Sequence, residues 1–208
     1  MKTTTAPAQR GSSSNEIEHS NHTTTASTLM VSGIGQLHTN EPDPVKPDKL
    51  LAPYLTIGVR GIQAMVDSPQ QVDKPEAQWL IPSSFPSRKF KTQEQSGQYF
   101  ALWADLDDHP PTLPDLDAMV EGILGGCDFE LYNSRSATLE NQKARVLIFL
   151  DQPLGYADWN LAQEILNDKL EALGIIPDRA TERAAQLCYL PNRGEFYGSI
   201  SKREGKYV

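Results

Sequence analysis

GQYFALWADLD, residues 97–107, is the stretch that decides the fold, because it is a nearly continuous apolar and aromatic run. Runs of this kind are typical of a central β-strand that is covered on both faces of its sheet. The run ends in acidic residues and is followed by His109-Pro110-Pro111, where a strand cannot continue. We therefore predict a buried strand with carboxylates at its exit.

Helical and strand patterns alternate along the chain beyond this strand. The helical segments have apolar residues at helical spacing between capping and stop residues, and the strand segments are short and apolar. The patterns predict helices at residues 114–124 and 158–173, the second capped by Asp158, and strands at 129–134, 145–150 and 186–191. Strands interleaved with helices predict an α/β or α+β domain with a mixed sheet and flanking helices.

The N-terminal segment differs in composition from the rest of the chain. Residues 1–47 are dominated by Thr, Ser, Asn, Pro and His, with no sustained apolar period. A segment of this kind buries too little surface to offset its conformational entropy. We predict a disordered N-terminal arm at residues 1–47 and one folded domain at residues 48–208.

Bulk properties exclude several classes of protein. The net charge of −8 disfavours binding of nucleic acid by overall electrostatics, although the nearly neutral part after residue 130 leaves a local arginine patch open. Two cysteines, Cys127 and Cys188, give neither a disulfide scaffold nor a zinc finger. No stretch reaches the roughly 18 apolar residues of a membrane span, so we predict a cytoplasmic protein without a membrane partner.

Two acids, Asp105 and Asp107, stand two residues apart at the exit of the buried strand. The two-residue period of a strand places both carboxylates on one face. Two close carboxylates repel each other unless a cation lies between them, and Mg²⁺ and Mn²⁺ take such oxygen ligands together with substrate phosphates. The pair therefore predicts a divalent metal site, while a solvated strand end is the alternative.

A basic and hydroxyl-rich loop lies between the next two strands. Ser134, Arg135 and Ser136 leave one strand, and Lys143 and Arg145 enter the next. Hydroxyls and guanidinium donors at the rims of neighbouring strands suit the binding of a triphosphate. An ordinary polar loop is the alternative.

Two further positions are candidates for the same site. Asp178 is the preferred third metal ligand over Asp151, although Asp178 also suits the N-cap of a following helix. Asn192 and Arg193 lie in a turn bounded by Pro and Gly, where they either form the turn or contact phosphate or template.

Taken in order, ALWADLD, YNSRSAT, QKARVLIFLDQPL, IIPDRA and QLCYLPNRG resemble the primase-polymerase domain of phage and plasmid replication proteins, in the archaeo-eukaryotic-type primase superfamily. The resemblance implies a core like that of the RNA-recognition motif. It also implies a metal-binding Asp-x-Asp first motif, a second motif with Ser and His that touches the nucleotide, and an apolar-Asp third motif.

Carried over by residue, the resemblance implies that Asp105, Asp107 and Asp178 bind catalytic Mg²⁺ or Mn²⁺. It implies nucleotidyl transfer, with nucleoside triphosphates and a single-stranded DNA template as partners and a replicative helicase as a further one. Ala137 stands where many relatives have the second-motif His, so the phosphate contacts fall to Ser134, Arg135, Ser136, Lys143 or Arg145. The alternative is a degenerate primase fold that binds single-stranded DNA or an origin without catalysis.

Overall fold

A computed structural model of the protein describes Met1 and residues 29–35, 39–42, 45 and 50–208. These residues form ten β-strands and four α-helices. The strands are β1 (Leu29–Ile34), β2 (Thr39–Pro42), β3 (Leu50–Ala52), β4 (Leu55–Gly58), β5 (Gln78–Ile81), β6 (Tyr99–Leu106), β7 (Phe129–Asn133), β8 (Ala144–Leu154), β9 (Cys188–Tyr189) and β10 (Ser199–Lys202). The helices are α1 (Val59–Asp67), α2 (Phe90–Ser96), α3 (Leu113–Leu124) and α4 (Tyr156–Ala172).

The main sheet has the strand order β10-β7-β8-β6, with antiparallel pairing throughout. Its edge strand β6 is the predicted buried run. Leu102, Ala104 and Leu106 pack into one apolar cluster with residues of α3 and α4, whereas Ala101 and Trp103 pack into a second cluster on the opposite face. The prediction that this strand is covered on both faces is confirmed.

The helices α3 and α4 pack on the main sheet through apolar contacts, and α4 also makes hydrogen bonds to β6. Trp159 donates its indole N–H to the Ala101 carbonyl at 2.9 Å. Gln163 accepts from the Trp103 amide at 3.1 Å and donates to the Trp103 carbonyl at 2.7 Å. Gly155, not Asp158, is the N-cap of α4, because the helix begins at Tyr156 and places Asp158 in its first turn.

A second sheet with the order β4-β1-β5-β9 covers the other face of the main sheet. Met30, Ile57 and Leu80 from this sheet share one buried cluster with Leu147 and Phe149 of β8. The two sheets therefore enclose an apolar interior, and any polar group placed between them is partly withdrawn from water.

The predicted disordered arm at residues 1–47 is wrong for Leu29–Ile34, which form β1 in the second sheet, and for Thr39–Pro42, which form β2 and pair with β3. Met30 and Val31 are fully buried. β1 is stabilised by antiparallel pairing with β4 on one side and β5 on the other, and this pairing offsets the entropy that disfavours order in an isolated polar segment. Residues 2–28 of the predicted arm lie outside the described residues.

The predicted α+β class is confirmed, with two four-stranded antiparallel sheets and with α3 and α4 on one face of the main sheet. The prediction of a mixed sheet is wrong, because every strand pair of the main sheet is antiparallel. The strand predicted at 145–150 extends over Ala144–Leu154 as β8. Pro153 lies in the C-terminal part of β8, which pairs with β6 and not with β7. The strand predicted at 186–191 is reduced to Cys188–Tyr189. None of the helices in the described ranges is long and apolar enough to cross a membrane.

Candidate nucleotide and metal site

The acid pair lies at the end of β6, beside basic residues of the neighbouring chain segment. Asp105 pairs directly across the sheet with Arg145 of β8. Arg145 donates Nη2–H to Oδ2 of Asp105 at 3.2 Å, and its Nε lies 3.0 Å from Oδ1. Asp107 follows the strand, and its Oδ1 lies 3.4 Å from Nζ of Lys143.

The pair of Asp105 and Arg145 is almost enclosed, with side-chain exposures of 16% and 13%. Burial raises the pKa of Asp105, and the nearby Arg145 offsets this only in part. Oδ1 of Asp105 and Nε of Arg145 are close but not aligned for a hydrogen bond, so neither buried atom has a hydrogen-bond partner among the described residues. A buried carboxylate oxygen without a donor is able to accept a cation.

The wall beneath this pair consists of neutral groups. Tyr132 donates its hydroxyl to the Tyr189 carbonyl at 3.0 Å, and burial raises the pKa of the Cys188 thiol to about 12. The thiol of Cys188 is therefore neutral at ordinary pH in the absence of a metal. The ionised groups of this region are the acids and the basic residues opposite them.

Asp178 approaches the acid pair through its backbone. Its amide donates to the Asp105 carbonyl at 2.8 Å, and its negative charge contributes to the raised pKa of Asp105, after the larger effects of burial, Arg145 and Asp107. Its side chain, however, caps the short 3₁₀ helix Arg179–Glu182, with Oδ1 accepting from the Ala180 amide at 2.8 Å. The residue lies at the predicted place and has the capping role that was the alternative.

Asp151, the other candidate for the third acid, lies on β8 six residues beyond Arg145. Six residues of strand span about 20 Å, so Asp151 is at the opposite end of the sheet from the acid pair. Its amide donates to the Val208 carbonyl near the C-terminus. Asp178 is thus the better placed of the two candidates.

The predicted phosphate-binding loop opens onto a cleft of about 330 Å³ that is lined by Arg145, the ion-pair partner of Asp105. The cleft is lined by Lys74, Ala77, Ser134, Arg135, Ser136, Arg145, Tyr189, Leu190 and Asn192. The hydroxyls of Ser134 and Ser136 lie 3.4 Å apart. Cationic and hydroxyl donors from distant parts of the chain therefore converge on one cavity, which is able to accept phosphate oxygens.

A wider groove of about 800 Å³ continues from this loop and is lined by Arg135, Ser136, Arg193 and Gly194, among others. Arg135 donates Nη2–H to Asp73 at 2.7 Å. Gly194 lies so close to the loop that a Cβ atom would sit 2.0 Å from the Arg135 carbonyl oxygen. Only glycine fits at this position.

Asn192 anchors the turn that carries Arg193. Its amide oxygen accepts from the Val72 amide at 3.1 Å, and its amide nitrogen donates to the Val72 carbonyl at 2.9 Å. The Arg193 amide donates to the Gln70 carbonyl. Asn192 lines the cleft, but its side chain is occupied by these backbone contacts, and its predicted contact with nucleotide stays a prediction.

Neither Ala137 nor His109 lines the cleft beside Arg145. Ala137, at the place of the second-motif His, is buried. His109 is exposed, lies next to Asp108 in a turn and has a positive φ of 44°. Across the part of the chain that is described, no three His, Cys, Asp or Glu residues are grouped closely enough to hold a metal ion.

The acid pair still fits a divalent ion on its donor chemistry. Mg²⁺ is commonly bound by one or two carboxylates, with waters and substrate phosphates as the other ligands. Asp105 and Asp107 supply two carboxylates, and Oδ1 of Asp105 accepts no hydrogen bond from the described residues, although the charged Nε of Arg145 lies 3.0 Å from it. The cleft beside them would bring phosphate oxygens to the same place.

Sequence reasoning missed Lys74, Asp73 and Tyr189. They reach the site only because the segment near residue 73 packs against the turn that follows β9. Lys74 lies over the ring of Tyr189, 5.3 Å from its centroid. Asp73 and Lys74 lie in no recognised motif, and Tyr189 had no assigned role within QLCYLPNRG, so only the tertiary structure places these residues at the site.

No family model matches the chain, and no curated protein matches it. Among solved structures, the protein is similar to the AEP domain of the cyanophage S-2L primase-polymerase (PrimPol). The two chains are 13% identical, the match covers 87% of this chain and 84% of that chain, and the TM-score is 0.46. This likeness says nothing about the residues of the site.

Proposed function

We propose that the protein is a metal-dependent nucleotidyltransferase of the primase-polymerase type, acting in phage or plasmid replication. The observation that carries the proposal is the convergence of three segments that the sequence resemblance had named. Asp105 of the first segment pairs with Arg145 of the second and accepts a hydrogen bond from the Asp178 amide of the third. These contacts join positions up to 73 residues apart beside one cleft.

The side chains of the cleft would bind the triphosphate. Arg145 and Arg135 supply planar guanidinium donors, and Ser134 and Ser136 supply hydroxyls. Lys74 adds a flexible charge at the rim. These groups orient the phosphates toward the acid pair, and the neutral wall beneath Asp105 excludes water from one side.

Asp105 and Asp107 would hold Mg²⁺ or Mn²⁺, and Asp178 is the proposed third ligand. The ion supplies activation of a 3′-hydroxyl and neutralisation of the departing pyrophosphate when it is bound. The partners proposed with it are nucleoside triphosphates and a single-stranded DNA template. A replicative helicase stays a predicted partner, and the cytoplasm stays the predicted location.

Primer synthesis and extension on single-stranded DNA with nucleotides and Mn²⁺ test the proposal directly. We expect product from the wild-type protein and loss of product in Asp105→Ala. Asp151→Ala is the matched control, because it removes an exposed aspartate at the far end of β8. Absence of product from the wild-type protein, or equal product from Asp105→Ala, would refute the proposal.

A second candidate function is supported by the pairing of both acids with basic residues of the chain. A site whose carboxylates are already neutralised, with Ala137 at the place of a His, suits a module that binds single-stranded DNA without catalysis. This function predicts DNA binding that weakens with salt and is unchanged in Asp105→Ala. Fluorescence anisotropy of a labelled oligonucleotide, measured beside the primer assay, separates the two candidates.

A further inference from the structure

The acids and the cations of the candidate site are matched in spacing. Asp105 and Asp107 are two residues apart, and Arg145 and Lys143 are two residues apart on the antiparallel partner segment. Antiparallel pairing places Asp105 opposite Arg145 and sets Asp107 beside Lys143. Each acid of the pair therefore has a cation of its own.

The two ion pairs differ in their exposure to water. The pair of Asp105 and Arg145 is nearly enclosed, whereas Asp107 and Lys143 are 52% and 28% exposed. A carboxylate as buried as Asp105 is costly to leave without a partner, so Arg145 stabilises it when no other cation is present. The same guanidinium would repel a divalent ion that approached the carboxylate.

The basic residue opposite Asp105 has a second possible partner in the cleft. Arg145 lines the cavity together with Ser134, Arg135 and Ser136. A triphosphate in this cavity would offer Arg145 an anion within the reach of a small side-chain movement. Lys143 does not line this cavity, but it lies two residues before Arg145, and its long flexible stem and moderate exposure allow its ammonium group to leave Asp107.

We propose that Arg145 and Lys143 are exchangeable counter-ions that make metal binding conditional on nucleotide binding. Without nucleotide they neutralise Asp105 and Asp107 and exclude the divalent ion. With nucleotide they transfer to the phosphates, and the carboxylates become available to Mn²⁺ or Mg²⁺. The inference rests on the proposed function, since it names the regulation of that site.

The coupling has a reciprocal form. If nucleotide raises the affinity for the metal by some factor, the metal raises the affinity for nucleotide by the same factor. Arg145 and Lys143 are positioning residues in this scheme, and their removal changes the dependence of one ligand on the other. A purely structural role would leave that dependence unchanged.

The decisive experiment measures Mn²⁺ binding to the full chain by electron paramagnetic resonance, first with Mn²⁺ alone. We expect Lys143→Met to bind Mn²⁺ about tenfold more tightly than the wild-type protein, because the cation beside Asp107 is gone. We expect Arg145→Met also to bind Mn²⁺ more tightly than the wild-type protein. Lys169→Met, which removes an exposed lysine on α4, is the control and should bind Mn²⁺ like the wild type.

A second titration adds a non-hydrolysable deoxynucleoside triphosphate. Mn²⁺ also binds the triphosphate itself, so the Asp105→Ala protein with the same nucleotide gives the background. We expect nucleotide to tighten Mn²⁺ binding to the wild-type protein above this background, and to do so less in Lys143→Met.

Each outcome decides the inference. Lys143→Met that binds Mn²⁺ no more tightly than the wild type overturns it, and this variant decides alone if Arg145→Met does not fold. Primer synthesis by a wild-type protein that fails this test would refute the counter-ion exchange and leave the proposed function standing. If no protein binds Mn²⁺ alone, and none binds it above the Asp105→Ala background when nucleotide is added, both proposals are overturned.

Discussion

Replacing Arg203 with methionine should destabilise the fold without affecting the cleft. Arg203 follows β10 and contacts the buried Glu130 of β7, with Nε 2.7 Å from Oε1 and Nη2 2.9 Å from Oε2. The Glu130 side chain is only 1% exposed, and Arg203 is 29% exposed. Ser201 also donates its hydroxyl to Glu130. In Arg203→Met, this hydroxyl would be the remaining donor to a buried carboxylate.

The expected loss of unfolding free energy follows from the burial of Glu130. Removing one partner of a buried ion pair costs about 3–5 kcal/mol, because the other charge stays buried without compensation. We expect a loss near the lower end, about 3 kcal/mol, because Arg203 is partly exposed and Ser201 still donates. The exposed pair between Arg203 and Asp67 adds little, because solvent and salt screen it.

Urea unfolding followed by tryptophan fluorescence measures the loss. Glu130→Gln combined with Arg203→Met should recover much of it, because the uncompensated charge is then absent. Lys206→Met removes an exposed ion pair with Glu204 on the same tail and is the matched control. A loss below about 1 kcal/mol in Arg203→Met, or a double variant no more stable than the single one, contradicts this reasoning.

The stability of Arg203→Met should also depend on pH differently from that of the wild-type protein. Hydrogen bonds from Arg203 lower the pKa of Asp67 in the folded protein. The stability from this contact is therefore fully present above the ordinary Asp value of about 4 and is lost as pH falls through the lowered pKa. Arg203→Met should lack this part of the acid dependence. Nucleotide affinity of the folded variant should equal that of the wild type, because Arg203 lies at the end of β7 away from Ser134.

Three further substitutions test contacts of the site and core. Gly194→Ala should weaken nucleotide binding by about tenfold in calorimetry, because a Cβ atom cannot fit 2.0 Å from the Arg135 carbonyl oxygen; unchanged affinity would refute this. Trp159→Phe should cost about 1–3 kcal/mol in urea unfolding, because the buried Ala101 carbonyl loses its indole donor; a smaller change would show compensation. Asn192→Leu should speed amide exchange in the segment around residue 72, and unchanged protection would contradict an anchoring role.

The main sheet and its helices were predictable because their signals are local. The apolar run of β6 is long enough to require burial on both faces, and α3 ends where Gly125 takes the left-handed conformation with φ 62°. β1 was missed because its six residues are stabilised by strands that follow it by more than twenty residues. Composition averaged over a polar segment hides such long-range pairing.

The site was predictable only in part, for a related reason. The position of Asp105 at a strand exit and the basic loop before β8 are visible in the sequence. The pairing of Asp105 with Arg145 depends on the register of two strands forty residues apart. Lys74 and Gly194 reach the loop around Arg135 only through packing between segments that are about sixty residues apart in the chain. The periodicity of the sequence does not predict contacts between such distant segments.

The balance of charge in the cleft explains how an acidic chain is able to bind phosphate. A net charge of −8 repels nucleic acid at long range, but salt screens this beyond about 8 Å at physiological ionic strength. Within that distance, Arg145, Lys143 and Arg135 each face a carboxylate of the chain. A phosphate must therefore compete with a carboxylate for each of these cations. Such competition would favour phosphate strongly only if a divalent ion neutralised the released acids at the same time, and this is the charge argument behind the proposed coupling of nucleotide and metal binding.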